Sequence, residues 1–117
     1  MPKAHYIVEL DSVFRGDVWP GANLTYNEEG VDFADVTARC DYRRGVDMDL
    51  LVSTTPPVTV TGLGQIQVAI ALTGEQTALM PPGTVYGDVE LYRESPPYGP
   101  KTRLHFQFDV IGDITSA

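Results

Sequence analysis

The sequence predicts an all-β domain, an antiparallel β-sandwich of about seven to eight strands. Three observations predict it. Apolar residues recur at every second position through most of the chain, which is the mark of strands with one wet face. Clusters of Gly, Pro, Asn and Asp punctuate those runs at short intervals. No window holds a 3.6-residue period long enough for a full helix. One sheet cannot bury its apolar face alone, so two sheets packed face to face are the economical solution. A closed barrel shares the same periodicity and stays open as an alternative. With 117 residues there is room for a single domain, 1–117.

The elements follow in chain order. Short strands are expected at His5 to Leu10 and at Val18 to Tyr26. The turn Asn27-Glu28-Glu29-Gly30 then leads to a long alternation, with Val36, Ala38, Cys40 and Tyr42 inward and Thr37, Arg39, Asp41 and Arg43 outward. Val46, Met48, Leu50 and Val52 form the next inward row. The connection Arg43-Arg44-Gly45 favours a three-residue loop with Gly45 in the left-handed position. That register sets Cys40 opposite Met48, Arg39 opposite Asp49 and Asp41 opposite Asp47.

Pro56-Pro57 separates this strand from Val58 to Thr61, and Gly62-Leu63-Gly64 turns into the row Ile66, Val68, Ile70 and Leu72. Thr73 and Gln76 have capping-box spacing, so residues 73–79 read as one helical turn crossing between the sheets. Leu79 to Tyr86 has the look of a tyrosine corner. Tyr86 is out of step with Val89 and Leu91, and a bulge at Gly87 would restore the phase. Val85 to Arg93 and the row Leu104, Phe106, Phe108 and Val110 complete the set.

Composition narrows the function. Asp and Glu number 16 against 8 Lys and Arg, a net charge of −8. The basic residues are scattered, which argues against nucleic acid or an anionic membrane surface as partner. Cys40 is the single cysteine, so no intrachain disulfide is expected. Neither a membrane span nor a secretion signal is read in the chain, and synthesis in a cytoplasm is the simplest expectation.

Catalytic chemistry is not expected. No nucleophile elbow, P-loop or dinucleotide fingerprint occurs. Two histidines, His5 and His105, lack a third ligand for zinc. Cys40 is in phase with core positions and reads as a small buried residue. Asp32, Asp35, Asp41, Asp47 and Asp49 read as solvated carboxylates, because the calcium-loop pattern is missing. Arg15-Gly16-Asp17 reads as a turn rather than an adhesion signal. No cofactor and no metal is therefore expected. Trp19, Tyr92 and Tyr98 stand out as candidate anchors of a protein interface. Trp19-Pro20-Gly21 cannot sit in the middle of a regular central strand, because proline removes a ladder donor, and core packing is still the favoured reading of Trp19 over an interface role.

Taken in order, the motifs carry a resemblance. Gly16-Asp17 opens a strand, and Asn27-Glu28-Glu29-Gly30 leads into Val31-Asp32-Phe33 and Val36-Thr37-Ala38-Arg39. Gly64-Gln65-Ile66 runs to Leu72-Thr73, then Gln76-Thr77-Ala78-Leu79, Pro82-Gly83 and Tyr86. Asp88-Val89-Glu90-Leu91, Phe108-Asp109-Val110 and Asp113-Ile114-Thr115 follow. From Gly16 to Thr115 this resembles the immunoglobulin-like domains of tailed-phage and prophage structural proteins, similar to the N-terminal module of upper-baseplate and fibre-anchoring proteins. Gly87 and the proline-rich stretch Ser95 to Pro100 depart from that pattern.

The resemblance implies an immunoglobulin-like sandwich without catalytic residues, located in a virion and assembled with other virion subunits, often as a homo-oligomer. A tail, baseplate or fibre-attachment position is the first expectation, and a capsid decoration protein the second. From another class, a carbohydrate-binding module would use Trp19, Tyr92 and Tyr98 as a stacking platform. The expected contact sites are Val18-Trp19-Pro20 and the Tyr92 to Tyr98 loop, with side chains making the contact, since proline blunts strand addition there.

Overall fold

The computed structural model describes residues 7–45 and 48–112. Within them the chain is an all-β, immunoglobulin-like sandwich of two sheets. The larger sheet contains β1 (Ile7–Glu9), β2 (Val13–Phe14), β4 (Thr37–Arg43), β5 (Leu50–Thr54), β8 (Gly83–Arg93) and β9 (Tyr98–Ile111). Its order is β1-β9-β8-β4-β5, with β2 also on β9. The smaller sheet is β3 (Trp19–Asn27), β7 (Gln65–Leu72) and β6 (Val58–Gly62), in the order β3-β7-β6. All pairings are antiparallel except those of β1 and β2, which run parallel to β9. Sequence period does not encode the direction of a pairing, so that departure from a purely antiparallel sandwich was not legible.

The expected inward rows are the core. Ala38, Cys40 and Tyr42 of β4, Ile66, Val68, Ile70 and Leu72 of β7, and Phe106, Phe108 and Val110 of β9 are all buried. Between the sheets, Trp19 of β3 stacks on Phe108 with ring centroids 4.0 Å apart. Tyr42 and Phe106 meet edge to face at 5.6 Å. Such aromatic pairs add about 0.5–1.5 kcal/mol each beyond the area they bury. The helical turn is where the spacing places it. In α1 (Gly74–Ala78), Thr73 is the N-cap and forms a reciprocal capping box with Gln76, and the turn carries the chain from β7 to β8.

Two local expectations are corrected. The β4–β5 register is not the three-residue loop. Cys40 faces Thr54, Asp41 faces Ser53 and Tyr42 faces Val52. The strand begins at Leu50, and Met48 is 58% exposed. Gly45 does not adopt a positive φ, so the backbone preference that favoured the short loop does not operate. Asp47, expected opposite Asp41, lies outside the described residues.

The tyrosine corner is also absent. Val85, Gly87, Val89 and Leu91 form one unbroken inward row, and Tyr86 points to the outer face opposite Gln107 and Arg43. Gly87 is not a bulge but a seat for an aromatic ring. A Cβ there would lie 2.0 Å from Cζ of Phe106, so only glycine leaves room for that ring. Gly21 is another position where glycine is required. It has φ 66°, and a Cβ would come within 1.8 Å of the Ile70 carbonyl oxygen. The β3–β7 register shifts there, between Trp19 and Ala22, which accommodates Pro20 in the strand.

Candidate functional site

The three expected anchor residues do not share a surface. Trp19 is 1% exposed, and its indole Nε1 donates to the Asp11 carbonyl at 2.9 Å. It is a core residue that locks β3 onto β9. Val18, its neighbour, is the side chain that faces solvent. Tyr98 is 8% exposed and belongs to a polar cluster at the end of the sandwich where the β8–β9 hairpin turns. Tyr92 is half-buried on the outer face of the large sheet, opposite Thr37. A flat stacking platform built from all three is not formed.

The Tyr98 cluster is the most organised polar group of the described residues. One Glu28 oxygen accepts the Tyr98 hydroxyl at 2.7 Å and the Tyr26 hydroxyl at 2.9 Å. Arg103 Nε lies 3.7 Å from the same oxygen, a charge contact longer than a hydrogen bond. Lys101 sits 5.0 Å above the Tyr98 ring and Arg103 5.9 Å from the Tyr26 ring. Phe33 supports both tyrosines edge-on from beneath.

Electrostatics follow from this packing. The Tyr98 and Tyr26 hydroxyls and the two nearby cations hold the Glu28 carboxyl below its ordinary range. Burial, then the bond to Glu28, pushes Tyr26 up to about 12. The carboxylate is thus spent on its own neighbours. It ties the end of β3 to β9 and is a latch rather than a base. Sequence reasoning missed Tyr26, Glu28 and Arg103, and no local signal marks them, because the three meet only when β3 and β9 are brought together.

The adjoining loop is held by Arg93. Its guanidinium donates to the carbonyls of Asp32 (2.8 Å), Ala34 (2.6 Å) and Pro96 (2.7 Å). Asp32 in turn accepts the Ala34 N–H at 2.9 Å, so this carboxylate shapes its own turn.

The outer face of the large sheet carries a second polar array. Asp41 contacts Arg39 and Arg43 at 3.5 and 3.4 Å and accepts Ser53 Oγ at 2.7 Å. His105 Nδ1 is 2.7 Å from Asp88. These contacts are solvent-facing, and each such pair contributes at most about 1 kcal/mol. His5, weighed as a partner for His105, lies outside the described residues. Cys40 is fully buried, and loss of solvation raises its thiol to about 12, which makes it inert as a nucleophile. Arg15-Gly16-Asp17 is a turn: Arg15 Nε donates to the Met80 carbonyl at 3.1 Å, and the Asp17 N–H to Phe14 at 3.0 Å.

Exposed apolar side chains lie elsewhere. Val18 and Leu79 flank the tie between the β2–β3 turn and α1, where Thr77 Oγ1 accepts the Gly16 N–H and donates to the Asp17 carbonyl. Leu50, Val60 and Leu63 lie on β5, on β6 and in the turn that follows β6. The chain matches neither a protein-family model nor a curated protein sequence.

Proposed function

We propose that this chain is a virion structural protein of a tailed phage or prophage, an assembly subunit that connects tail, baseplate or fibre components. The order of motifs from Gly16 to Thr115, borne on an immunoglobulin-like sandwich, is the observation that carries this reading. The surface chemistry is in keeping with it. An acidic domain resists random association, so docking falls to exposed apolar side chains such as Val18, Val60, Leu63 and Leu79. The step from fold to role is by analogy.

The test is location. Antibody raised against the purified domain is applied to particles from the producing host and viewed in negative stain. Label at the tail, baseplate or fibre base is the expected result. Label over the shell would replace this role with capsid decoration. Absence of the chain from purified particles by mass spectrometry would reject the virion reading altogether.

A further inference from the structure

The small sheet ends in an unprotected edge. Among the described residues no strand pairs with the outer side of β6. Natural edges are blunted by charge, internal proline, bulges or brevity. The other edge of this sheet, β3, carries Pro20 and a register shift. At one edge of the large sheet, β1 and β2 are only three and two residues long, and the other edge, β5, though free of charge and proline, is bulged at Leu51. By contrast, β6 reads Val58-Thr59-Val60-Thr61-Gly62, with neither charge nor proline. Its one irregularity, at Thr61, leaves Val58 to Val60 regular.

The direction of its free backbone groups can be derived. The Ala69 N–H donates to the Pro57 carbonyl at 3.0 Å, and Val58 pairs with Val68 in the antiparallel ladder. Peptide groups alternate in direction along a strand. Thr59 therefore bonds toward β7, while the N–H and C=O of Val58 and Val60 point outward. Meanwhile the inward side chains of β6 are incompletely covered. Val60 is opposite the buried Ile66 and yet 46% exposed. Val58 and Val52 are only half-buried. Width explains Val52, because five strands lie side by side in one sheet and three in the other, and edge position explains Val60, which among the described residues has no strand beside it on the outer side of β6. At about 4.8 Å per strand, the small sheet is roughly 10 Å narrower.

The geometry points to β6 as a homodimer seam, in which two copies of this chain pair their β6 strands antiparallel about a two-fold axis at Thr59. This deepens the reading of the chain as an assembling subunit and rests on it for its purpose. Two features select a second copy. First, Leu50 through Gly74 contains no Asp, Glu, Lys or Arg, so β5, β6 and β7 form the charge-free flank of a chain of net charge −8. A like-charged copy approaches there without desolvating or opposing a charge. Second, the strand is self-complementary about Thr59. Val58 meets Val60 of the other copy on the inner face, and Thr59 meets its own equivalent on the outer face. The outward N–H and C=O of Val58 and Val60 then form four hydrogen bonds. The added strand supplies the missing width and covers Val52 and Val60. A two-fold axis placed between Thr59 and Val60 would put valine opposite threonine and the wrong faces together.

Sedimentation equilibrium of the purified chain tests the pairing. The wild type is expected to dimerise with a Kd of roughly 1–100 µM, the range of a small interface. Val60→Pro removes an outward N–H and leaves the β7 ladder intact, and Val60→Lys plants a charge on the edge. Both are expected to be monomeric with unchanged circular dichroism and melting temperature. Leu79→Glu, at the α1 turn, is expected to dimerise like the wild type. A wild type that stays monomeric through millimolar concentration overturns the proposal. So does a dimer that survives both Val60 variants, or one that dissociates with Leu79→Glu. A monomer found in purified particles would overturn the seam and leave the virion reading standing, whereas a β6-dependent dimer absent from particles would do the reverse.

Discussion

The centre of the sandwich and its β5–β6 flank are built from the same alternating pattern, yet they end in opposite states. Phe106 and Phe108 in β9 and Ile66 and Val68 in β7 are inward and fully covered. Val58 and Val60 in β6 are inward by the same alternation and remain half-buried or exposed. Their residue types are equally apolar. What differs is position: β7 and β9 each lie between two strand partners, while β6 is an edge strand with none on its outer side among the described residues. Alternation assigns a face to a side chain, and only the neighbouring strands and the opposing sheet decide whether that face is dry.

Stability measurements sharpen or break this contrast. The largest effect is expected for Phe106→Ala, which empties the space between Trp19, Tyr42 and Gly87. Its urea midpoint should fall by the equivalent of about 3–5 kcal/mol. Next comes Gly87→Ala. The added methyl collides with the Phe106 ring, and overpacking of this kind costs about 1–3 kcal/mol. A neutral result would mean that the ring moves freely, and the centre would then be no tighter than the flank.

The third effect depends on pH. Glu28 titrates below its unfolded value in the fold, so its contribution is complete above about pH 5. That contribution is lost as pH falls through the folded value. Glu28→Gln should therefore flatten the decline of the melting temperature on the acid side, with the difference from wild type vanishing at the lowest pH. On the alkaline side Tyr26, pushed up to about 12, stabilises the fold below about pH 10 and ceases to do so as it ionises. Parallel wild-type and variant curves in acid would remove the latch role of Glu28.

The smallest effect belongs to the flank. Val60→Ala, measured at a concentration where the chain is monomeric, should change stability by no more than about 0.5 kcal/mol. A loss comparable with that of Phe106→Ala would show β6 to be as well covered as β9, and the contrast between the two regions would collapse.

Much of this was legible in the chain itself. The rows of β4, β7 and β9, the capping box of Thr73 and Gln76, the burial of Cys40 and the irregular start of β3 at Pro20 are short-range matters. Each depends on residues within one strand or one turn, where a period of two or a fixed spacing carries the whole signal. The sequence by itself thus determined which side chains share a face. Tertiary structure decided everything that requires a second strand. It set the β4–β5 pairing that places Cys40 opposite Thr54 and used Gly87 as a ring seat. It also joined Tyr26, Glu28, Tyr98 and Arg103, and left the β6 edge unpaired. Register and coverage are non-local: a slip in pairing changes no residue's periodicity, and a narrow sheet leaves no trace in the alternation of the strand it fails to cover.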